Sequence, residues 1–185
     1  MKIAISGTIG SGKSEFCNYL RQKGYDVFDC DKENRRLLYK GHKGYRRVVK
    51  AFPEALGENG LDKAKLSRIV FSNETKRLQL ESIMHPLILE ELSKRSDDPL
   101  IAEVPLLFEV NWDRYFDLNV LIVADEKQVY DRLLLRGLDD QQIRGRIAAQ
   151  MDVEEKIKRA DKIIYNNGSL SELYEAADQL LKEVL

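Results

Sequence analysis

Eight residues near the start of the chain have the composition and spacing of a phosphate-binding loop. Gly7 to Ser14 read GTIGSGKS, which satisfies the pattern G-x-x-x-x-G-K-[ST]. Glycines let successive backbone N–H groups turn inward around a phosphate, and the helix that follows adds the positive end of its dipole. Lys13 can neutralise the β- and γ-phosphates of a nucleotide, and the Ser14 hydroxyl can bind a Mg²⁺ ion that bridges them. The segment therefore predicts a nucleoside triphosphate site.

Two carboxylates follow the second predicted strand. Asp29 and Asp31 stand at the edge where open parallel sheets bind their ligands. By themselves they could equally cap the next helix. Beside a nucleotide site, an acid at this edge can accept a hydrogen bond from an acceptor hydroxyl and orient it for phosphoryl transfer.

A basic segment later in the chain allows two interpretations. Its cationic residues are Arg132, Arg136, Arg144, Arg146, Lys156, Lys158 and Arg159. Arginines on a mobile lid would grip phosphate oxygens and exclude water, whereas a helix face offset by neighbouring acids would only be solvated. A GTPase switch is disfavoured, because neither D-x-x-G nor N-K-x-D occurs in the sequence.

Short apolar runs alternate with helical patterns and would position these groups. Strands are predicted at Lys2–Ser6, Tyr25–Asp29, Leu100–Val104, Leu118–Val123 and Lys162–Tyr165. This alternation predicts an α/β fold with a parallel sheet covered by helices on both faces. Residues 1–31, 99–124 and 161–185 would form the nucleotide-binding core, with a helical insertion at 32–98 and a second insertion at 125–160.

Capping-box patterns predict the start of two helices. Ser169 and Glu172 precede an apolar stripe in the last helix, and Asp125 and Gln128 open the second insertion. We expect the stripe of the last helix to pack in the core.

Composition limits the classes of partner. The 185 residues include 30 Lys and Arg against 31 Asp and Glu, so the net charge of −1 gives no general field for nucleic acid. No apolar run approaches the length of a membrane span. The two cysteines match neither a disulfide framework nor metal-ligand spacing. These features predict a cytoplasmic protein with reduced thiols and with neither nucleic acid nor a membrane as its partner.

Motifs along nearly the whole chain resemble those of the dephospho-coenzyme A kinase family, P-loop kinases of the nucleoside-monophosphate-kinase type. In order they are SGTIGSGKS at 6–14, DCD at 29–31, LSRIVF at 66–71, HP at 85–86, VPLLFE at 104–109, RLLLRG at 132–137, RIAAQ at 146–150, AD at 160–161 and IYNNG at 164–168. The later motifs, in this order, are much more specific than the first.

This resemblance implies a P-loop kinase fold, a five-stranded parallel sheet flanked by helices, with a helical substrate-binding insertion and a lid. The implied reaction moves the γ-phosphate of ATP to the ribose 3′-hydroxyl of dephospho-coenzyme A with the help of Mg²⁺, giving coenzyme A and ADP in the last step of coenzyme A biosynthesis. Two alternatives remain from the residues alone: another small-molecule or nucleoside-monophosphate kinase, and a non-catalytic nucleotide-binding module.

The resemblance also implies roles for individual residues. The expected catalytic residues are Asp31, Lys13 and Arg136. The expected ATP-binding residues are Gly10, Ser11, Gly12, Lys13, Ser14, Glu15, Arg136, Asn166 and Gly168, and Ser14 is also the expected metal ligand. The expected acceptor-binding residues are Asp31, His85, Leu106, Leu107, Phe108 and Glu109. His85 could instead only fix a helix break before Pro86, and core packing is favoured for Leu106 and Leu107 taken singly.

Two positions depart from the family pattern. Glu15 stands where the family commonly has Thr, so a hydroxyl contact to the α-phosphate is absent, and we expect its carboxylate to turn toward solvent or pair with a lid base. Glu103 stands where Asp is frequent, which lengthens the reach of the carboxylate toward the metal or the acceptor.

Overall fold

The computed structural model of the protein describes residues 1–185. Its strands are β1 (Lys2–Gly7), β2 (Val27–Asp29), β3 (Leu56–Gly57), β4 (Gly60–Leu61), β5 (Leu100–Glu103), β6 (Leu118–Val123) and β7 (Lys162–Tyr165). Its α-helices are α1 (Lys13–Gln22), α2 (Cys30–Leu37), α3 (Lys43–Ala51), α4 (Lys63–Phe71), α5 (Glu74–Ser93), α6 (Glu126–Leu135), α7 (Asp140–Ala148), α8 (Val153–Arg159) and α9 (Leu170–Val184).

Five of the strands form one parallel sheet in the order β2-β5-β1-β6-β7. The central strand β1 pairs with β5 on one side and β6 on the other, so that Ile3 lies between Ile101 and Leu118. Side chains on both faces of these strands are buried, as parallel sheets require. The predicted α/β fold with a five-stranded parallel sheet is confirmed.

A large apolar cluster packs α1 and α9 against the sheet. Phe16 and Leu20 of α1 meet Leu173 and Leu180 of α9 over Ile5 of the central strand. The capping box of α9 forms as predicted from Ser169 and Glu172, and the apolar stripe that follows is buried. The second predicted capping box, at Asp125 and Gln128, is wrong, because the Asp125 side chain makes no cap.

The chain divides into two compact units, residues Met1–Asp29 with Asp97–Leu185, and residues Cys30–Ser96. The first unit contains the sheet together with α1 and α6 to α9. The second unit contains α2 to α5 and the short antiparallel pair β3 and β4.

Both cysteines, Cys17 and Cys30, are buried and form no disulfide. No helix combines the length and apolar character that a membrane crossing would require.

The helical unit is organised around the 20-residue helix α5. Asn73 caps its start, and the helix continues through Pro86 without ending there. The helix break expected at Pro86 is therefore wrong. Proline removes only one backbone hydrogen bond of this helix, and the buried neighbours Met84, Leu87 and Ile88 hold it in the core of the unit.

Candidate functional site

The predicted phosphate-binding loop connects the end of β1 to the start of α1. Gly10 has φ 73° and Gly12 has φ 97°, a left-handed backbone that glycine adopts without strain. A Cβ atom on Gly12 would overlap the side-chain nitrogen of Asn166, so glycine is required there by space as well. Gly12 is the N-cap of α1, and no side chain caps this helix. The first N–H groups of α1 and its dipole are thus presented to an anion.

Two side chains outside the motif hold the middle of the loop. Asn166, directly after β7, is buried and donates from Nδ2 to the Ser11 carbonyl at 2.7 Å. Arg132 on α6 donates to the Gly10 carbonyl at 3.3 Å and to the Asn166 carbonyl at 2.9 Å. These bonds use carbonyl groups of the loop. The Ser11 N–H donates to the Thr8 carbonyl at 3.2 Å, whereas the N–H groups at the start of α1 are left for a ligand.

A third side chain holds the beginning of the loop. The N–H of Ile9 donates to Oε1 of Gln150 at 2.9 Å. Gln150 lies between α7 and α8, so the second predicted insertion contacts the loop directly. Beside this contact is a pocket of about 370 Å³ lined by Thr8, Ile9, Ala124, Glu126, Val129, Ile147, Ala148, Gln150, Met151, Asp152 and Val153.

Glu103, the last residue of β5, joins the two functional side chains of the loop. Its Oε1 accepts hydrogen bonds from Lys13 Nζ at 2.5 Å and from Ser14 Oγ at 3.2 Å. Its Oε2 accepts from Arg21 at 3.1 Å, and its side chain is only 7% exposed. Burial raises the pKa of Glu103, but hydrogen bonds and positive charge from Lys13 and Arg21 outweigh it and hold that pKa below its usual range.

This arrangement fits a divalent cation that arrives with a nucleotide. The Ser14 hydroxyl and the Glu103 carboxylate are hard oxygen donors close enough to share one ion or its water shell. The structure contains no group of three or more His, Cys, Asp or Glu side chains that could hold a metal ion. The nucleotide phosphates would have to supply the remaining ligands.

Glu15 adopts neither of its expected positions. Its Oε1 accepts a hydrogen bond from the Tyr174 hydroxyl at 2.5 Å, so it faces α9 rather than solvent or a lid base. Tyr174 stacks on Tyr19 of α1, with ring centroids 4.2 Å apart and an interplanar angle of 6°.

The helical unit carries two of the predicted site residues. Asp31 is exposed in the first turn of α2, two residues after the end of β2. His85 is partly buried on α5, which packs against α2. Burial lowers the pKa of His85 against the opposing charge of Glu81, so its imidazole is neutral at pH 7.

The segment after β5 is mostly structural. Leu107 and Phe108 are completely buried, and for Leu107 this agrees with the core packing favoured for it singly. Leu106 is 50% exposed and is available to a ligand. Glu109 pairs at 2.6 Å with Lys156 of α8, whose side chain has no exposed surface. This pair ties the segment to α8.

The basic residues of the second insertion fall into three groups in the structure. Neither the interpretation as lid arginines nor the interpretation as a solvated helix face describes all of them. Arg132, Lys156 and Arg159 make interior contacts, and Arg159 binds Asp113 and the Phe108 carbonyl. Arg144 and Lys158 make surface pairs with Asp140 and Glu155. Arg136 and Arg146 are exposed and their side chains make no hydrogen bond or ion pair.

The capping box predicted for α6 does not form, and both of its residues bond to Asn167 instead. The Asp125 side chain makes no cap, and its N–H instead donates to Asn167 Oδ1 at 2.8 Å. Gln128 donates to the Asn167 carbonyl at 2.9 Å. Gly168 follows, where a Cβ atom would overlap the Glu172 carboxylate of the α9 capping box. The loop from Asn166 to Gly168 is therefore fixed to α6 and α9 as well as to the phosphate-binding loop.

Three residues with direct contacts to the site were not among the predicted site residues. Gln150 ends the motif RIAAQ, and Arg132 begins RLLLRG, so motif position was a usable signal for both. Tyr174 belonged only to an apolar stripe, and nothing local in the sequence indicated its bond to Glu15.

Comparisons with known proteins agree with this geometry. The family model described as dephospho-CoA kinase matches residues 1–172. A dephospho-CoA kinase of Bacillus cereus is 34% identical over 97% of this chain and 95% of its own length. A crystal structure from Thermus thermophilus superposes with a TM-score of 0.86 at 36% identity, covering 100% of this chain and 98% of that one. A dephospho-CoA kinase structure from Campylobacter jejuni has a TM-score of 0.69 at 23% identity, covers 100% of this chain and 98% of its own, and shares the fold.

Proposed function

Because the chain belongs to the dephospho-CoA kinase family, we propose that it transfers the γ-phosphate of ATP to the ribose 3′-hydroxyl of dephospho-CoA, giving CoA and ADP. The observation that carries this proposal is the uncapped start of α1, where Lys13 and Ser14 meet one buried carboxylate. A triphosphate would bind to the N–H groups of this loop, and Lys13 would exchange its contact with Glu103 for phosphate oxygens.

We propose Mg²⁺ as the divalent cation of this kinase, with Ser14 as its ligand and Glu103 as a ligand or as an acceptor for its bound water. Bound there, Mg²⁺ offsets negative charge on the transferred phosphoryl group. Glu103 remains ionised at neutral pH because its pKa is lowered, so it can serve this purpose without losing a proton first.

We propose that Asp31 orients the acceptor hydroxyl. Its place in the chain, just beyond the carboxyl end of β2, supports this role, because parallel sheets bind ligands at that edge. A carboxylate there accepts the hydroxyl hydrogen bond and receives the proton late, since phosphoryl transfer has a loose transition state.

The helical unit is proposed to bind the acceptor, with His85 among its contacts and Leu106 as the accessible residue of the segment after β5. The neutral imidazole of His85 can donate or accept one hydrogen bond without adding charge. Glu109 is assigned instead to holding Lys156.

Residues 125–160 are proposed to act as a lid that delivers Arg136. Its guanidinium is exposed, has no partner in the chain and stands at the end of α6, just before Gly137 turns the chain with φ 82°. A free guanidinium can reach phosphate oxygens and stabilise charge that develops during transfer. The loop from Asn166 to Gly168 is proposed to border the adenine of ATP.

An ADP-release assay across acceptors tests the reaction. We expect turnover with dephospho-CoA and little with AMP, and the reverse preference would assign the protein to nucleoside-monophosphate phosphorylation. Asp31→Asn should lower kcat by roughly 10²- to 10⁴-fold with ATP affinity nearly unchanged. Glu33→Gln, which removes a carboxylate from the same helix, is the control and should retain kcat. Equal kcat in wild type and Asp31→Asn would remove Asp31 from the mechanism.

A further inference from the structure

The third residue of a helix has a preferred partner when it is Glu or Gln. Its side chain folds back and accepts a hydrogen bond from the N–H of the N-cap residue, in the arrangement called a capping box. Of the four helices other than α1 with Glu or Gln at this position, α7 and α9 form the capping box and α6 and α8 do not. Gln142 accepts the Asp139 N–H at 3.1 Å at the start of α7, and Glu172 accepts the Ser169 N–H at 2.6 Å at the start of α9.

Helix α1 has the same sequence feature but a different structure. Gly12 is its N-cap, with a left-handed backbone where the N-caps of α7 and α9 are extended, and Glu15 is its third residue, in the first turn beside the unpaired N–H groups. No side chain caps α1, however, and the Glu15 carboxylate is bonded to Tyr174 of α9 at 2.5 Å. The N–H groups at this helix start belong to the proposed phosphate site.

Tyr174 is itself held in place. Its ring stacks on that of Tyr19 in α1, with ring centroids 4.2 Å apart. The hydrogen bond that the Tyr174 hydroxyl donates to Glu15 raises the pKa of Tyr174, so the phenol stays protonated at neutral pH.

We propose that Tyr174 is a positioning residue that keeps the Glu15 carboxylate away from the phosphate-binding N–H groups of α1. Without the phenol, the Glu15 carboxylate would be free to turn toward the unpaired N–H groups of the first turn, and would compete with phosphate for these donors. The carboxylate would also place a negative charge beside the triphosphate. This inference rests on ATP as the ligand of the loop.

The variant Tyr174→Phe tests the proposal because it keeps the ring and its stacking and removes only the hydroxyl. We expect the KM for ATP to rise about five- to tenfold, since a capping interaction of ordinary strength reduces the open population by that factor. The kcat at saturating ATP should stay within about twofold, because bound ATP has already displaced Glu15.

Tyr19→Phe is the matched control. It removes the other hydroxyl of the same stacked pair, which does not touch Glu15, so the KM for ATP should remain that of the wild type.

A double-mutant cycle with Glu15→Ala distinguishes an effect of Tyr174 on the Glu15 carboxylate from an effect of Tyr174 on the packing of α9. In the Glu15→Ala background, adding Tyr174→Phe should change the KM for ATP by less than about twofold, because no carboxylate remains to fold back. An equal rise in both backgrounds, or no rise with Glu15 present, would overturn the proposal. A wild-type protein that binds no ATP in a direct titration would instead refute the proposed function.

Discussion

Replacing Glu103 with Gln removes the one negative charge that two cations of the nucleotide-binding unit share. Lys13 and Arg21 each contact a different oxygen of Glu103, at 2.5 and 3.1 Å, and the carboxylate is 7% exposed. Gln has nearly the same volume, so the substitution leaves no cavity. It does leave both cations without an ionic partner, and it turns an amide NH₂ toward one of them.

The size of the effect follows from the burial of the three groups. Removing one member of a buried ion pair costs about 3–5 kcal/mol. The Arg21 side chain is one-third exposed and can be solvated by water, which favours the lower end of that range, about 3 kcal/mol. For a chain of this size each kcal/mol lowers Tm by about 2–4 °C, so Glu103→Gln should lower Tm by about 6–12 °C.

The loss should depend on pH in a direction set by the lowered pKa of Glu103. A group whose pKa is lower in the folded state adds stability above its unfolded-state pKa, near 4.5, and loses it as the pH falls through the folded-state value. Urea unfolding at pH 7 should therefore show the full difference between wild type and Glu103→Gln. In a series below pH 5 the two proteins should converge.

Glu90→Gln is the matched control, because Glu90 has the same number of cationic partners as Glu103 and differs from it in exposure. Glu90 also faces two cations, Lys43 at 2.6 Å and Lys94 at 3.3 Å, but its side chain is 38% exposed, against 7% for Glu103. Solvent screens such pairs, so Tm should stay close to that of the wild type. Equal losses in the two variants, or a Glu103→Gln loss that persists unchanged in acid, would refute an ion pair stabilised by burial.

Two further variants test contacts around the site. Lys156→Met leaves the Glu109 carboxylate without its buried partner and should lower the free energy of unfolding in urea by about 3 kcal/mol; wild-type stability would refute the pair. Asn166→Ala removes the bond to the Ser11 carbonyl and should raise the KM for ATP about tenfold through a loosened loop, and an unchanged KM would show that the loop holds its shape without Asn166.

The sheet could be predicted from the sequence because its signals are local. β6 and β7 match their predicted ranges, and β1 and β5 differ by one residue, since each is a short apolar run bounded by turn or polar residues. β2 begins two residues later than predicted, at Val27. Tyr25 continues the apolar pattern, but it packs against the α1 and α9 cluster without pairing in the sheet.

Two of the misjudged features depend on residues distant in sequence. Asp125 and Gln128 have the spacing of a capping box, but Asn167, about forty residues later, provides better partners for both. Glu15 is likewise captured by Tyr174, 159 positions away. Local spacing identifies groups that are able to bond, whereas the packing of α6 and α9 decides which partners they obtain.

The phosphate-binding loop obtains its shape from residues outside its motif. Arg132, Gln150 and Asn166 bond to its backbone from α6, from the α7–α8 junction and from the end of β7. Each of these bonds is present without a nucleotide. The loop therefore loses less conformational entropy when a nucleotide binds. Two of the three contacts come from residues 125–160. Movement of that segment relative to the loop must therefore break the Ile9–Gln150 bond or carry the loop with it, which couples the position of Arg136 to the geometry of the phosphate site.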